Sequence, residues 1–373
     1  MDLSRRNFLQ MGAAGALAAG AMGLAGCGSQ PQKSEGSKAE SSVSEDWLGE
    51  APATKPEDCK ETVDCEVVVV GAALAGSMAA YGAVKNGAKV TVLERNASAH
   101  IGGMTISFLN SQAQLDAGIP KHDKVHVANQ MFTTTQYRSD MKLNAVWCNR
   151  SGKIFDDMVK DFLEPYNQYY KILSLEGIFP DPTQEINSYI STGVAFSEDT
   201  DILTDFTHNI HTFLEDQGVE FSYDTRAEKL VQDDKGAVVG VIATKDGESV
   251  YYKASKGVVM CTGSFGANEA MMKHFFPEQF ATWALENNAY NAYMGDDPVT
   301  EVMDDGLGHK MMCWAGGEME GVCGYLSWQN TAWRSFPYLL VDTKGQRFMN
   351  ECTSLLTSGH FIADLPGHGN YIW

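Results

Sequence analysis

Apolar positions along residues 66–93 form two runs typical of buried strands, with a helical pattern between them. The stretch 66–70 carries four consecutive valines, a β-branched run expected of a central parallel strand buried on both faces. The stretch 77–86 predicts a helix rich in small residues, and Gly87 is placed to end it. The stretch 89–93 predicts a second strand. These elements form a β-α-β unit, which indicates an α/β fold with a parallel sheet.

A second group of elements is predicted in the middle of the chain. An amphipathic helix runs from Ile202 to Gln217, and a short strand follows at 218–221. The apolar face of the helix contains Leu203, Phe206, Ile210, Phe213 and Leu214. The stretches AEKLVQDD, AVVGVIATKDG and ESVYYKASKGVV then predict a β-meander. The last of them enters a glycine-rich turn, as expected where a chain returns to the same sheet.

The turn after the first strand is similar to the dinucleotide-binding pattern G-x-G-x-x-G. Gly71, Ala73 and Gly76 occupy its three glycine positions, so the first and third glycines remain. Ala73 adds one methyl group where the backbone approaches a pyrophosphate. Glu94 ends the second strand, where an acid can accept hydrogen bonds from an adenosine ribose. This context favours a dinucleotide site over the alternative, a β-α-β unit with an empty turn.

Two further segments favour FAD over NAD as the dinucleotide. Gly102 and Gly103 follow the second strand and are suited to pass backbone beneath a flavin or a pyrophosphate. Thr262 and Gly263 lie in the glycine-rich turn that ends the returning strand. The sequence therefore predicts FAD as the cofactor.

Charge and cysteine spacing narrow the function classes. The formal net charge of -20 excludes a nucleic-acid partner, because neutralising phosphates requires a basic face. No C-x-x-C pair occurs, so we expect no haem c attachment, no iron–sulfur cluster and no metal site. Electrons are therefore expected to come from another protein or a diffusible donor.

Residues 1–27 predict an export signal rather than part of the fold. Residues 4–9 match the twin-arginine pattern, and an Ala- and Gly-rich run leads to a lipobox at 24–27. This lipobox would make Cys27 the lipidated first residue of the mature protein. The alternative is an N-terminal helix with an incidental arginine pair. Residues 28–61 are polar and predict a flexible linker. Together with the export signal and the lipobox, this linker indicates an extracytoplasmic protein that is anchored to the membrane by lipid.

The order of these blocks resembles the flavoprotein family of fumarate reductase and succinate dehydrogenase. Matching stretches cover most of residues 64–351: VVVVGAALAG, VTVLER, IGGM, FLEDQGVEFSYDTRAEKLVQDDKGAVVGV, KGVVMCTGSFGANEAMM, DDGLGHKMMCWAGGEM and LLVDTKGQRFMNE. The resemblance implies a glutathione-reductase-like FAD-binding domain over 62–320, followed by the start of an α+β capping domain over 321–373. It implies FAD contacts at Gly71, Ala73, Gly76, Glu94, Gly102, Gly103, Ala227, Thr262 and Gly263. Asp305-Gly306 also resembles an acid–glycine turn that lies near the flavin in members of this family.

The catalytic residues of the family have no counterparts at the matching positions of this sequence. The catalytic residues therefore stay unassigned. Leu355 stands where fumarate reductases carry the proton-donating arginine, while Arg347 belongs to the preceding motif and is interpreted as structural. Counterparts of the family's substrate-clamping histidine and Thr-Glu pair are also missing. Candidate acids are Tyr325, Arg334 and His360. The aromatic residues of 321–340 suit either a larger, less charged substrate or a domain interface.

Three histidines remain as candidate functional residues. His208 and His211 are expected at the solvent-facing flank of their helix rather than as a metal pair. His309 is placed either near the flavin or in a structural role.

These features predict an FAD-dependent oxidoreductase acting on CH–CH bonds. The resemblance implies hydride transfer from the flavin to an activated C=C bond of a small molecule other than fumarate, with electrons from a cytochrome or a quinol-linked carrier. One alternative is a 3-ketosteroid-type dehydrogenase of the same family. Another is a truncated, non-catalytic surface lipoprotein, because members of the family continue beyond the position of Trp373.

Overall fold

The computed structural model describes residues 47–99, 105–135, 137–172, 193–196, 204–277, 305–319, 339, 341–349 and 371–372. The strands are β1 (Glu61–Val70), β2 (Val90–Leu93), β3 (Thr105–Ser107), β4 (Lys171–Ile172), β5 (Gly193–Ala195), β6 (Glu220–Ser222), β7 (Thr225–Gln232), β8 (Val238–Lys245), β9 (Glu248–Met260), β10 (Val341–Asp342) and β11 (Tyr371–Ile372). The helices are α1 (Leu74–Lys85), α2 (Gln112–Asp116), α3 (Lys124–Thr134), α4 (Met141–Met158), α5 (Thr204–Asp216), α6 (Glu269–Phe275) and α7 (Leu307–Trp314). A 3-10 turn at Pro56–Asp58 and a π-helical turn at Val159–Leu163 complete the regular elements of these ranges.

The main sheet has six strands in the order β6-β2-β1-β9-β8-β7. Strands β6, β2, β1 and β9 are parallel, whereas β8 and β7 are antiparallel additions beyond β9. The long strand β9 pairs with β1 and also closes the meander of β7, β8 and β9. This architecture confirms the predicted α/β fold with a parallel sheet and a β-meander.

The two faces of β1 pack against different layers. Val69 belongs to a core cluster with residues of α1 and α5, whereas Val68 and Val70 belong to a second cluster with residues of β8, β9 and α7. Alternate side chains of a strand point to opposite faces, so the valine run supplies both cores. The predicted apolar face of α5 is confirmed for its described members, since Phe206, Ile210, Phe213 and Leu214 are all buried.

Two predicted boundaries were wrong. The first strand begins at Glu61 rather than Glu66, because residues 61–65 continue the parallel pairing with β9 despite their polar character. Helix α1 begins at Leu74 rather than Ser77, because the turn after β1 is tight enough for the helix to start at once. Gly87 does follow the end of this helix, with φ +76, and donates its N–H to Val84 O over 2.8 Å.

No helix in the described ranges is both long and apolar enough to span a bilayer. The capping segment 321–373 lies almost entirely outside the described residues, as do the export signal and Cys27.

Residues 47–60, within the predicted flexible linker, pack against the domain. The ring of Trp47 meets that of Phe275 edge-on, with centroids 5.1 Å apart. Trp314 Nε1 donates to Gly49 O over 3.0 Å. The N–H of Lys60 donates to Ser249 O over 2.9 Å and so continues the pairing of β1 with β9 by one residue. Residues 47–60 are therefore packed rather than part of a flexible linker, and the rest of the predicted domain division stays a prediction.

Replacing Lys229 by methionine is expected to loosen this N-terminal segment. The ammonium of Lys229 donates to Pro52 O over 2.7 Å and to Thr54 O over 3.2 Å. A hydrogen bond near the surface contributes a net of about 0.5 kcal/mol, so the loss of two should make local opening roughly five-fold more frequent. Limited proteolysis between residues 47 and 60 measures this rate. Lys253→Met, on an exposed lysine of β9, is the control, and equal cleavage in both variants would contradict the assignment.

Candidate cofactor site

The turn between β1 and α1 depends on two glycines for steric reasons. Gly71 has φ +99, and a Cβ there would lie 2.3 Å from Cys261 O. A Cβ at Gly76 would lie 1.7 Å from Gly71 O. Both contacts are with backbone, which cannot rotate away as a side chain can. Gly71 thus lets β9 approach the turn, and Gly76 lets the helix close onto it.

Helix α1 presents an uncapped N-terminus at the carboxyl end of β1. Its N-cap residue, Ala73, is extended, with φ -68 and ψ -170, and its side chain provides no capping hydrogen bond. The first N–H groups of a helix have no partner within the helix and carry the positive end of its dipole. This is the arrangement that binds the phosphates of nucleotides. Because φ at position 73 is ordinary, alanine fits here without backbone strain.

A cavity of about 400 Å³ lies at this helix end. Its lining residues come from the start of α1, the end of β9 and one face of α7: Ala73, Leu74, Ala75, Met260, Cys261, Thr262, Gly263, His309 and Met312. Strand β1 has β2 on one side and β9 on the other, so the cavity lies where the strand order reverses. Open α/β sheets bind their ligands at this switch point. Predicted residues Ala73, Thr262 and Gly263 are thus brought together around one space.

Glu94 is buried beside the turn between β1 and α1. The residue exposes only 7% of its surface. One carboxylate oxygen accepts the N–H of Ala72 over 3.0 Å, and the other accepts the N–H of Asn96 over 3.0 Å. Each carboxylate oxygen has two lone pairs, so both retain the capacity to accept a ligand hydroxyl.

Helix α7 closes the other side of the cavity. A Cβ at Gly308 would lie 1.7 Å from Thr262 Oγ1, so the helix backbone packs directly on the turn after β9. The Nδ1 atom of His309 is buried without a hydrogen-bond partner among the residues that the structure describes. Burial also lowers the pKa of His309, which favours the neutral ring. An unpartnered polar atom beside a cavity is the kind of group that a bound ligand satisfies.

Asp305 fixes the start of α7 to three other elements. Its Oδ2 accepts from Arg95 Nη1 over 3.0 Å and from Arg226 Nη2 over 3.1 Å. Its Oδ1 accepts the N–H of Leu307 over 2.9 Å, and its backbone oxygen accepts from Asn268 Nδ2 over 2.7 Å. The acid–glycine turn singled out in the sequence therefore holds together the ends of β2, β7 and α6 beside the cavity.

Of the remaining residues singled out in the motifs that resemble the family, the structure describes Ala227 and Arg347. Ala227 is buried in the second core cluster, two residues after Thr225, whose N–H donates to Glu94 O over 2.8 Å. Its proposed backbone contact with an adenine stays a prediction. Gly102 and Gly103 lie outside the described residues, as do Leu355 and the candidate acids Tyr325, Arg334 and His360. Arg347 forms an antiparallel bridge with Val341.

The expectation for His211 was wrong, whereas His208 is exposed as expected. His211 exposes 7% of its surface and lies beneath the turn. Its Nε2 is 3.0 Å from Ala72 O, and its Nδ1 is 3.2 Å from the hydroxyl of Tyr223. The sequence did carry a signal, because position 211 falls next to Ile210 and one turn before Leu214 on the buried face of α5.

The donor set of this site fits FAD. Unpaired helix N–H groups suit a pyrophosphate, the buried Glu94 carboxylate suits a ribose, and the glycine contacts hold the backbone that approaches the cofactor. The cavity volume falls within the range of about 300–1,000 Å³ usual for cofactor sites.

Comparison with known proteins agrees with this geometry. The urocanate reductase of Eggerthella lenta is 29% identical over 227 residues, which are 58% of this chain and 34% of that protein. The digoxin reductase of the same organism is 26% identical over 423 aligned residues, covering 98% of this chain and 70% of the relative. A probable fumarate reductase of Shewanella frigidimarina is 22% identical over 324 residues, 82% of this chain and 50% of the relative. The chain thus spans half or less of the length of two of these relatives.

Two solved structures share the fold. A 3-ketosteroid-Δ4-(5α)-dehydrogenase from Rhodococcus jostii superimposes with a TM-score of 0.60 at 20% identity, covering 84% of this chain and 66% of that one. A flavocytochrome c3 fumarate reductase gives a TM-score of 0.58 at 18% identity, covering 86% and 55%. A family model described as FAD binding domain matches residues 66–360, more than half of the chain. The chain therefore belongs to the FAD binding domain family of fumarate reductase and succinate dehydrogenase type, and its cofactor is FAD.

Proposed function

We propose that this protein is a reductase that uses FAD to reduce an activated C=C bond of a small molecule other than fumarate. The observation that carries the proposal is the cavity at the uncapped start of α1, closed by Thr262 and by His309 with its unpartnered Nδ1. FAD, when bound, supplies hydride from its flavin ring. The names of the relatives, urocanate, digoxin and fumarate reductase, support a reductase of this kind.

The residues of this chain would bind and orient the cofactor. The N–H groups at the start of α1 would hold the pyrophosphate, and Glu94 would hold the ribose. His309 stays neutral because burial lowers its pKa, so it offers a hydrogen bond without adding positive charge. The leucine at position 355, in place of the arginine of fumarate reductases, favours a substrate other than fumarate.

We also propose that the protein works outside the cytoplasm with a separate electron donor. The twin-arginine pattern and the lipobox support export and a lipid anchor on Cys27. The absence of C-x-x-C pairs from the sequence supports electron delivery by a cytochrome or a quinol-linked carrier. Folding around the cofactor before export suits the twin-arginine route.

Reoxidation of the reduced flavoprotein tests the catalytic proposal. The purified protein should be yellow, should be bleached by dithionite without oxygen, and should regain its colour when an electron-accepting substrate is added. Urocanate, digoxin and fumarate are the first candidates, and fumarate should be the slowest. A colourless protein that takes up no FAD would favour the non-catalytic lipoprotein. Bleaching of the oxidised protein by a saturated 3-ketosteroid would instead favour the dehydrogenase alternative.

A further inference from the structure

We propose that His211 is a positioning residue for FAD, which holds the turn between β1 and α1 in the geometry that binds the cofactor. This inference rests on the cofactor site and not on the identity of the substrate. His211 is buried and lies on α5, a helix remote in sequence from the glycine-rich turn.

The backbone of Ala72 is held from two sides. Its N–H donates to the Glu94 carboxylate over 3.0 Å, while its carbonyl oxygen is 3.0 Å from His211 Nε2. The hydroxyl of Ser77 donates to the same carbonyl over 2.9 Å. A peptide unit is planar and trans, so fixing the carbonyl of Ala72 also fixes the direction of the next N–H, that of Ala73. Ala73 lines the cavity at the helix N-terminus.

The hydrogen bonds favour one tautomer of the ring. His211 Nε2 lies 3.0 Å from Ala72 O and 3.0 Å from the hydroxyl oxygen of Ser77. Because the carbonyl can only accept and the Ser77 hydroxyl already donates to it, a hydrogen on Nε2 satisfies both oxygens. In the neutral ring Nδ1 is then an acceptor, and the hydroxyl of Tyr223 donates to it over 3.2 Å. The ring of Phe221 packs on His211 with centroids 4.6 Å apart, which holds the imidazole in place.

Burial lowers the pKa of His211 and so favours this neutral form. The titratable groups that act on the ring are Glu215 and His208 on α5 and Glu94 after β2, all through space, and Tyr223 after β6, through its hydrogen bond. A proton on Nδ1 would displace the hydrogen that Tyr223 donates and would charge a buried ring. Neutral His211 therefore contributes stability that is present above pH 6.5, the ordinary pKa, and is lost as the pH falls below it.

Titration of apoprotein with FAD, followed by flavin fluorescence, tests the inference without any turnover. His211→Leu removes the donor to Ala72 and should raise the dissociation constant of FAD about ten-fold, as expected for one hydrogen bond. His211→Gln keeps an N–H donor at the position of Nε2 and should restore affinity to within about two-fold. His208→Leu, on the exposed residue one turn earlier, is the matched control and should bind as the natural protein does.

Two further measurements separate positioning from general support of the fold. Below pH 6.5 the free energy of unfolding of the natural protein should fall relative to that of His211→Gln, because glutamine does not titrate there. If His211→Leu does not fold, Tyr223→Phe removes the donor to Nδ1 and should raise the dissociation constant about three-fold, part of one hydrogen bond. Equal FAD affinity in His211→Leu and His211→Gln, or unchanged affinity in Tyr223→Phe, would overturn the inference. Either result leaves the proposed reductase activity to be judged by its own assay.

Discussion

Replacing Gly76 by alanine is expected to weaken FAD binding about 100-fold, whereas the same change at Gly82 in the same helix should leave it intact. The new Cβ at position 76 would lie 1.7 Å from Gly71 O, so α1 and the turn must separate. Overpacking of this kind costs up to about 3 kcal/mol, which corresponds to about 100-fold in affinity if the bound geometry must be restored. Flavin content per chain and the FAD dissociation constant measure the effect.

Gly82 provides a control within the same element. Nothing lies within 4 Å of a Cβ built at this position, so alanine there meets no neighbour. Alanine in a helix interior is more favourable than glycine by roughly 0.5–1 kcal/mol, so the free energy of unfolding should rise slightly. If Gly76→Ala bound FAD as tightly as Gly82→Ala, the close approach of helix and turn could not be what shapes the site.

The contrast between these glycines and Ala73 shows what local sequence can predict. The turn pattern correctly marked Gly71 and Gly76, because Gly71 needs the positive φ of +99 that the turn imposes and Gly76 approaches backbone only five residues away. Alanine at the middle position is tolerated because residue 73 is an extended N-cap, a conformation open to any residue. The valine run likewise predicted a central strand, since burial on both faces requires apolar residues at every position.

The contacts that support the site were less predictable. Asp305 binds Arg95 across 210 positions of sequence, and His211 reaches Ala72 across 139. Periodicity locates a residue on a helix face, but it does not state which loop lies opposite that face. The sequence therefore predicted a solvent-facing position for His211, although neighbouring residues of its helix, such as Ile210, are buried. Its role follows only from tertiary packing.

Replacing Glu94 by alanine is expected to weaken FAD binding about as strongly as the change at Gly76, by about 100-fold. The carboxylate accepts hydrogen bonds from two backbone N–H groups, of Ala72 and Asn96. In the proposed site it would also accept from the ribose. Hydrogen bonds to charged groups contribute about 1.5–3 kcal/mol, and the buried N–H of Ala72 would be left without its acceptor. Stability of the apoprotein should therefore fall together with FAD affinity.

Glu66→Ala is the matched control, because Glu66 is also an acid that accepts a backbone N–H, that of Lys89 over 2.8 Å. Its carboxylate lies at the surface, where water replaces the lost contact, so FAD affinity should not change. Glu94→Gln is expected between the two, since one amide oxygen can still accept from Ala72 while the amide NH₂ opposes the N–H of Asn96. FAD titration and denaturant unfolding of the three variants measure both quantities. Equal losses of affinity in Glu66→Ala and Glu94→Ala would show that acidic charge, and not the buried contact with the turn, governs FAD binding.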